Sequence, residues 1–361
     1  MRVKGWLAIL ATVLVCAGQE APAQGFAGMG EAVEGFANPD PSHRFAFPAD
    51  HGAHPDFRIE WWYLTATLTG PDGTDYGAQW TLFRTALRPG EGTGFASPQL
   101  WMGHAALTSA ERHLFAEKLG RGGVGQAGVR VSPFAAWIDD WQMISRASPG
   151  ADALSALDLN ASGAGFAYRL ALEAKGPIVA QGDQGYSVKS AAGQASHYYS
   201  QPFYAVTGTI TLEGQDIPVT GQAWLDREWS SQPLAPDQTG WDWFSLQFDD
   251  GRELMYYQLR RRDGSSDPFS QGSWTGPDAS QTRVAPSDLQ LQELRQWQAP
   301  DGVTYTTVWR LQLAEASYRL EALVEAQYMA LSIPYWEGAV RIIDEGSGLS
   351  AGHGYLEMVR Q

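Results

Sequence analysis

The chain has 361 residues, 40 of them acidic against 25 basic, for a formal charge of −15. So acidic a surface repels phosphate backbones and anionic lipid, which sets nucleic acid aside as a partner. Its single cysteine, Cys16, can form no internal disulfide, so stability rests on a packed core, for which this length is ample.

In chain order, Arg2 and Lys4 precede an apolar run from Trp6 to Val15, too short to cross a bilayer as a mature helix. Ala21-Pro22-Ala23 follows. This is the pattern of a Sec signal peptide over residues 1–23, cleaved after Ala23, and it predicts a periplasmic or secreted protein. Cys16 offers lipoprotein anchoring as the competing reading, weakened by the bulk of Val15 just before it. Residues 24–44, rich in Gly, Ala and Pro without periodicity, read as a flexible leader.

Strand-and-turn punctuation then takes over. Arg58 to Leu68 and Tyr76 to Leu87 flank Pro71-Asp72-Gly73, a hairpin signal of aromatic and β-branched residues around an Asp-Gly pair. The same grammar recurs at Tyr204 to Leu212 and Ile217 to Trp229, at Trp241 to Phe248 and Glu253 to Arg260, and at Tyr305 to Leu313 and Tyr318 to Tyr328. Asp288 to Trp297 fits either a short helix or an alternating strand. The fold class is therefore all-β, with sheets closed or nearly closed to hide their edges. A weak echo links Glu60-Trp61-Trp62-Tyr63 and its return strand ending in Arg84 to Trp241-Asp242-Trp243-Phe244 and its return strand ending in Arg260. Two related units in tandem are expected, over residues 45–232 and 233–361.

Aromatic residues are the compositional signal, with 15 Trp, 14 Tyr and 14 Phe. Any single ring belongs by default to a core, but clustered rings also line cavities for apolar, elongated ligands. Glu60, Trp61, Trp62, Tyr63 and Trp80 of the first hairpin, with Trp241 and Trp243, are the expected ligand-binding residues. His51-Gly52-Ala53-His54, with Asp50 and Asp56 beside it, has a zinc-like spacing. Its Gly and Pro predict a loop, however, so hydrogen bonding at a barrel mouth is the preferred reading and no metal is assigned.

A second candidate site joins His197-Tyr198-Tyr199 to Trp224-Leu225-Asp226-Arg227-Glu228-Trp229. The hairpin between them brings His197 and Asp226 to one rim. Strand alternation sets Trp224, Asp226 and Glu228 on one face and Leu225, Arg227 and Trp229 on the other. A carboxylic acid among Trp rings has its pKa raised by desolvation and keeps a proton to give. An ion pair between Arg227 and a nearby carboxylate is the alternative, and spacing alone leaves both open. No nucleophile elbow, Rossmann fingerprint or P-loop is present, and no cofactor is assigned.

Several of these stretches carry a resemblance. Phe47-Pro48-Ala49-Asp50-His51-Gly52-Ala53-His54-Pro55 through Glu60-Trp61-Trp62-Tyr63, then Tyr199-Ser200-Gln201-Pro202, Ala223 through Ser230, Gly240 through Phe244 and Gly352 through Glu357 resemble the AttH/carotenoid 1,2-hydratase family. The resemblance runs from about residue 45 to the end and implies two tandem lipocalin-like (calycin) β-barrels. It also implies a hydratase that adds water to a terminal double bond of an acyclic carotenoid without a redox cofactor. The family's His-x-aromatic and aromatic-x-Asp patterns fall on His197-x-Tyr199 and Trp224-x-Asp226, with the two rings exchanged relative to the hydratases.

The reading this supports is an exported hydratase-like enzyme for an apolar, isoprenoid-type ligand. Asp226 is the general acid, Tyr199, Trp224 and Trp243 stabilise a carbocation, and His197 or Glu228 activates water. The alternative is a periplasmic carrier that hands a lipophilic ligand to an ABC transporter or a membrane enzyme. A third, weaker reading is a hydrolase with Asp226 and Glu228 as an acid–base pair.

Overall fold

Alternation of apolar and polar residues, cut by Gly-containing turns, folds the chain into antiparallel strands. The computed structural model describes residues 34–232 and 234–360, and among these it contains two β-sheets, two 3-10 turns and no α-helix. The signal peptide expected over residues 1–23, with Cys16, and the first part of the leader lie outside the described residues. The leader's described end packs against the first sheet. Ala37 N–H donates to the Asp56 carbonyl, Ser231 donates to the Ala37 carbonyl, and the His43 ring meets the His197 ring at a tilt, 4.6 Å between centroids.

The first sheet has 13 strands. At its centre Ile59–Thr69 lies between Asp75–Ala86 and Gln215–Ser230, and Ala195–Leu212 pairs with the last of these. The Asp-Gly turn works because Gly73 takes φ +82°, a conformation costly for any residue with a Cβ. The sheet curls until its edges approach: Ile138 lies against Gly120 and Ala116 against Gly163. Trp62, Leu64, Trp80 and Leu82 point inward to a core completed by Trp141, Tyr168 and Trp229.

The second sheet has 10 strands and repeats the plan as a more open half-barrel. Its Gln238–Phe248 strand lies between Glu253–Arg261 and the closing Ser350–Arg360 strand, and Tyr335–Asp344 follows. Gln290–Gln298 is a strand, which decides the ambiguous segment against a helix. Phe244, Leu246, Trp309, Trp336 and Leu356 fill its core. The fold is thus that of tandem lipocalin-like barrels, as the hairpin grammar and the resemblance imply.

The echo noted in the sequence has a physical content. In the first sheet Glu60 is bound by Arg84 from the return strand (2.9 Å) and Arg227 from the closing strand (2.7 Å). In the second, Asp242 is bound by Arg260 (2.6 Å) and Arg360 (2.6 Å) from the equivalent strands. Each unit buries one carboxylate between two guanidiniums where its first, second and last strands meet.

Between the two sheets lies a third apolar layer. Strand alternation turns Trp61 and Tyr63 outward from the first barrel and Trp241 and Trp243 outward from the second, and the Tyr63 and Trp243 rings meet edge to face at 5.1 Å. The outer faces of the two central hairpins therefore face each other.

Candidate active site

That layer is incomplete at one end, where a cavity of about 120 Å³ opens between the sheets. Trp61, Tyr63, Phe83, Trp241, Trp243 and Tyr257 supply its aromatic walls, and Asp226, Glu228 and Glu357 reach into it. Half-buried Lys189, Gln194 and Gln232 mark its mouth.

Asp226 is only 3% exposed. Its carboxylate accepts from Ser200 Oγ (2.5 Å), Trp224 Nε1 (2.6 Å) and the Tyr198 hydroxyl (2.6 Å). The Tyr198 oxygen in turn accepts from Trp243 Nε1 at 3.1 Å, so a relay runs from the second sheet to the acid in the first. Every donor is neutral. Burial therefore dominates and pushes the Asp226 carboxyl up to about 7, helped by the charge of Glu228 and opposed by the three hydrogen bonds. Glu228 is held by Lys189 Nζ at 3.2 Å and by the Ser196 hydroxyl. Lys189 also lies over the Tyr257 ring at 4.0 Å. Burial works against its charge, but Glu228 and Tyr257 keep its pKa above the usual lysine value.

Glu357 enters from the closing strand of the second sheet and accepts from Trp241 Nε1 at 2.6 Å. Burial pushes it up to about 7 as well, with Asp226 and Glu228 adding to the rise. Its register partner Glu337 is fully buried near Tyr63 and Tyr335, and burial followed by the Glu357 charge raises its carboxyl well above the ordinary range.

The residues expected to share one rim are divided between two faces. Ser200, not His197, stands opposite Asp226, while His197 pairs with Trp229. The Ala195–Leu212 strand thereby directs Ser196 and Tyr198 to the cavity, Ser200 to Asp226 behind it, and His197 and Tyr199 into the first barrel. His197 Nε2 accepts the Asp40 backbone N–H at 3.2 Å, and burial with the nearby charges of His43 and His54 lowers its pKa to about 4. Tyr199 is fully buried and bonded to His51 Nδ1 at 2.7 Å. Neither touches the cavity. Glu60, Trp62 and Trp80, expected to bind ligand, are likewise turned into the first barrel. Trp61, Tyr63, Trp241 and Trp243 do line the cavity, whereas Trp224 lies behind its wall and bonds to Asp226.

The His51–His54 pair does not converge on a point. His51 Nε2 is bonded to Asp152 at 3.1 Å, while His54 lies between Glu60 (2.6 Å) and Asp50 (3.2 Å) and stacks on Trp229 at 3.9 Å. Among the described residues no group of three or more His, Cys, Asp or Glu is placed to hold a metal ion. Sequence reasoning missed Tyr198, Ser200, Lys189 and Glu357. Alternation alone offered a signal for Tyr198 and Ser200, since the register that pairs Ser200 with Asp226 sets both on its face. Glu357 stands in a closing-strand motif that speaks for fold, and nothing local marks it as a cavity residue.

Residues 38–360 match the family described as AttH-like, and the chain belongs to that family. An AttH protein from Nitrosomonas europaea is 34% identical, with a TM-score of 0.78 over 90% of this chain and 98% of that one. Kievitone hydratase from Nectria haematococca shares the fold at 15% identity, with a TM-score of 0.65 over 91% of this chain and 98% of that one. CghA shares it at 14% identity, with a TM-score of 0.53 over 91% and 97%. No curated protein matches the chain.

Proposed function

We propose that this AttH-like protein is an exported, cofactor-independent hydratase-like enzyme. It would bind the end of an apolar, isoprenoid-type ligand between its two sheets and add water to a carbon–carbon double bond. One observation carries the reading: an aromatic-walled cavity holds a buried carboxyl, Asp226, that no cation among the described residues neutralises and that stays half protonated near neutral pH. Ring faces and carboxylates placed around such a site stabilise a cation that forms in the reaction more than they stabilise the neutral alkene. The shared fold of a protein named for hydration, kievitone hydratase, is consistent with it.

The chemistry follows from the relay. Protonated Asp226 donates to the Tyr198 oxygen as Tyr198 passes its own proton to the nearer alkene carbon. The π pair becomes the new C–H bond and leaves a tertiary carbocation. Trp61 and Trp243 present rings to that cation. A water lone pair then closes on it, and the water's extra proton leaves to a base. His197 lies in the other barrel face and cannot be that base, and Glu228 is already engaged by Lys189 and Ser196.

The test is native mass spectrometry of protein expressed with its leader, followed by organic extraction and by incubation with lycopene, an acyclic polyene with terminal double bonds. A hydrated product formed by wild type and lost in Asp226→Asn, with ligand binding retained, is expected. Recovery of one unmodified lipid, with no product from any polyene, would instead favour the carrier that supplies a transporter. N-terminal sequencing of the exported protein is expected to start at Gln24. A start at Met1 or a lipidated Cys16 would overturn that location.

A further inference from the structure

Four carboxyl groups cluster between the sheets, Asp226 and Glu228 from the first and Glu337 and Glu357 from the second, with Lys189 bonded to one of them. They differ in what is left open. Both oxygens of Asp226 are occupied by donors, Glu228 is held by a cation and a hydroxyl, and Glu337 is fully buried behind the cavity wall. Glu357 is half-buried, lines the cavity, and accepts at Oε1 from a neutral donor, Trp241 Nε1, with no cation bonded to it among the described residues.

We propose that Glu357 is the second proton-exchanging group of this cavity, the base that takes the proton of the attacking water. This rests on the hydratase reading above for its substrate. The carboxylate comes from the opposite sheet to Tyr198 and Asp226, so proton donor and acceptor approach the double bond from two walls. The water oxygen forms the C–O bond, one of its O–H bonds breaks, and that proton passes to Glu357. Each turnover leaves Asp226 ionised and Glu357 protonated, and exchange with solvent at the mouth restores both.

Two neighbouring buried carboxyls, one of them raised by the charge of the other, titrate as a coupled pair, which is the condition for one acid and one base in a single site. Burial and the charge of Asp226 hold Glu357 near 7, while Trp241 N–H moderates the rise. The groups that face it are Asp226, Glu228 with Lys189, Glu337, Trp241, Tyr63 and Tyr335.

Two measurements on the full chain decide this. First, carbon-13 carboxyl NMR without ligand is expected to show two groups titrating near neutral pH in wild type. Glu357→Gln should leave one of them, with Asp226 moved to a lower midpoint, and Trp241→Phe should move Glu357 upward. A Glu357 midpoint in the ordinary glutamate range overturns the proposal. Second, lycopene is incubated with each protein in deuterated buffer. Glu357→Gln is expected to lower hydrated product by about 100-fold or more, while recovered lycopene still takes up deuterium through reversible protonation. Asp226→Asn should lose both signals. Unchanged hydration by a folded Glu357→Gln overturns the base assignment. A wild type that leaves lycopene untouched, yet shows the coupled titration, would sink the hydratase reading and uphold Glu357 as the proton-exchanging group.

Discussion

Glu60 and Asp226 are both buried, at 1% and 3% exposure, and lie on neighbouring strands of one sheet only a few residues apart in register. Their fates are opposite. Burial works against the charge of Glu60, but His54, Arg227 and Arg84 surround it and hold its carboxyl well below the usual range. Burial works against the charge of Asp226 too. Its partners there are two hydroxyls and an indole, its charged neighbours are carboxylates, and its pKa stands at about 7. Countercharge, and not burial, decides whether a buried acid pins the fold or remains free to exchange a proton. The second unit repeats the pinned arrangement at Asp242, which identifies it as the structural element common to both barrels.

That contrast can be broken from either side. Arg227→Met strands Glu60 with one guanidinium fewer and also removes the cation stacked on Trp62 at 3.8 Å. It is expected to cost about 3–5 kcal/mol of stability, read as a lowered urea midpoint. Asp226→Asn takes away a desolvated acid and not a paired one. It should leave the urea midpoint unchanged or raised while lycopene hydration falls by about 100-fold or more. A collapse of stability in Asp226→Asn, or none in Arg227→Met, would erase the distinction drawn here.

The two acids also oppose each other in pH dependence. Glu60 titrates lower in the folded chain than its ordinary 4.5, so its contribution is present above that value and is lost as pH falls further. Asp226 and Glu357 titrate higher than their ordinary 3.8 and 4.5. Their contribution is complete below about pH 4 and disappears as pH rises through about 7. The stability of wild type relative to Asp226→Asn should accordingly fall as pH rises from about 4 to about 7. Urea titrations at several pH values check it. The smallest effect is expected of Trp243→Phe, which keeps the ring but removes the N–H to Tyr198. Loss of one hydrogen bond of about 1 kcal/mol should slow hydration by less than 10-fold, with the fold intact by circular dichroism.

Most of the fold was legible in the sequence. Asp72-Gly73 and Asp250-Gly251 mark turns because only residues tolerant of positive φ close so tight a hairpin, and Gly73 and Gly251 sit at φ +82° and +84°. The paired hairpins announced a duplication whose cause, an acid held between two arginines, became visible only when the closing strands were in place. The site was legible in part. Alternation along Gln215–Ser230 separates Trp224, Asp226 and Glu228 from Arg227 and Trp229 with no structure at all. It cannot say which face of the neighbouring strand meets them, because a shift of one residue in pairing exchanges all its side chains between faces. Hence His197 and Tyr199 were expected beside Asp226, where Tyr198 and Ser200 stand.

The sequence by itself thus determined the strand content, the turns, the tandem plan and the face on which Asp226 lies, since each follows from local periodicity and local backbone preference. Tertiary structure alone decided which carboxyls are neutralised and which share a cavity. Glu60 finds Arg227 from 167 positions away, and Trp241 finds Glu357 from 116 positions away. Protonation of a buried acid depends on whatever charges the fold brings within a few ångströms, and no local pattern in a chain records that.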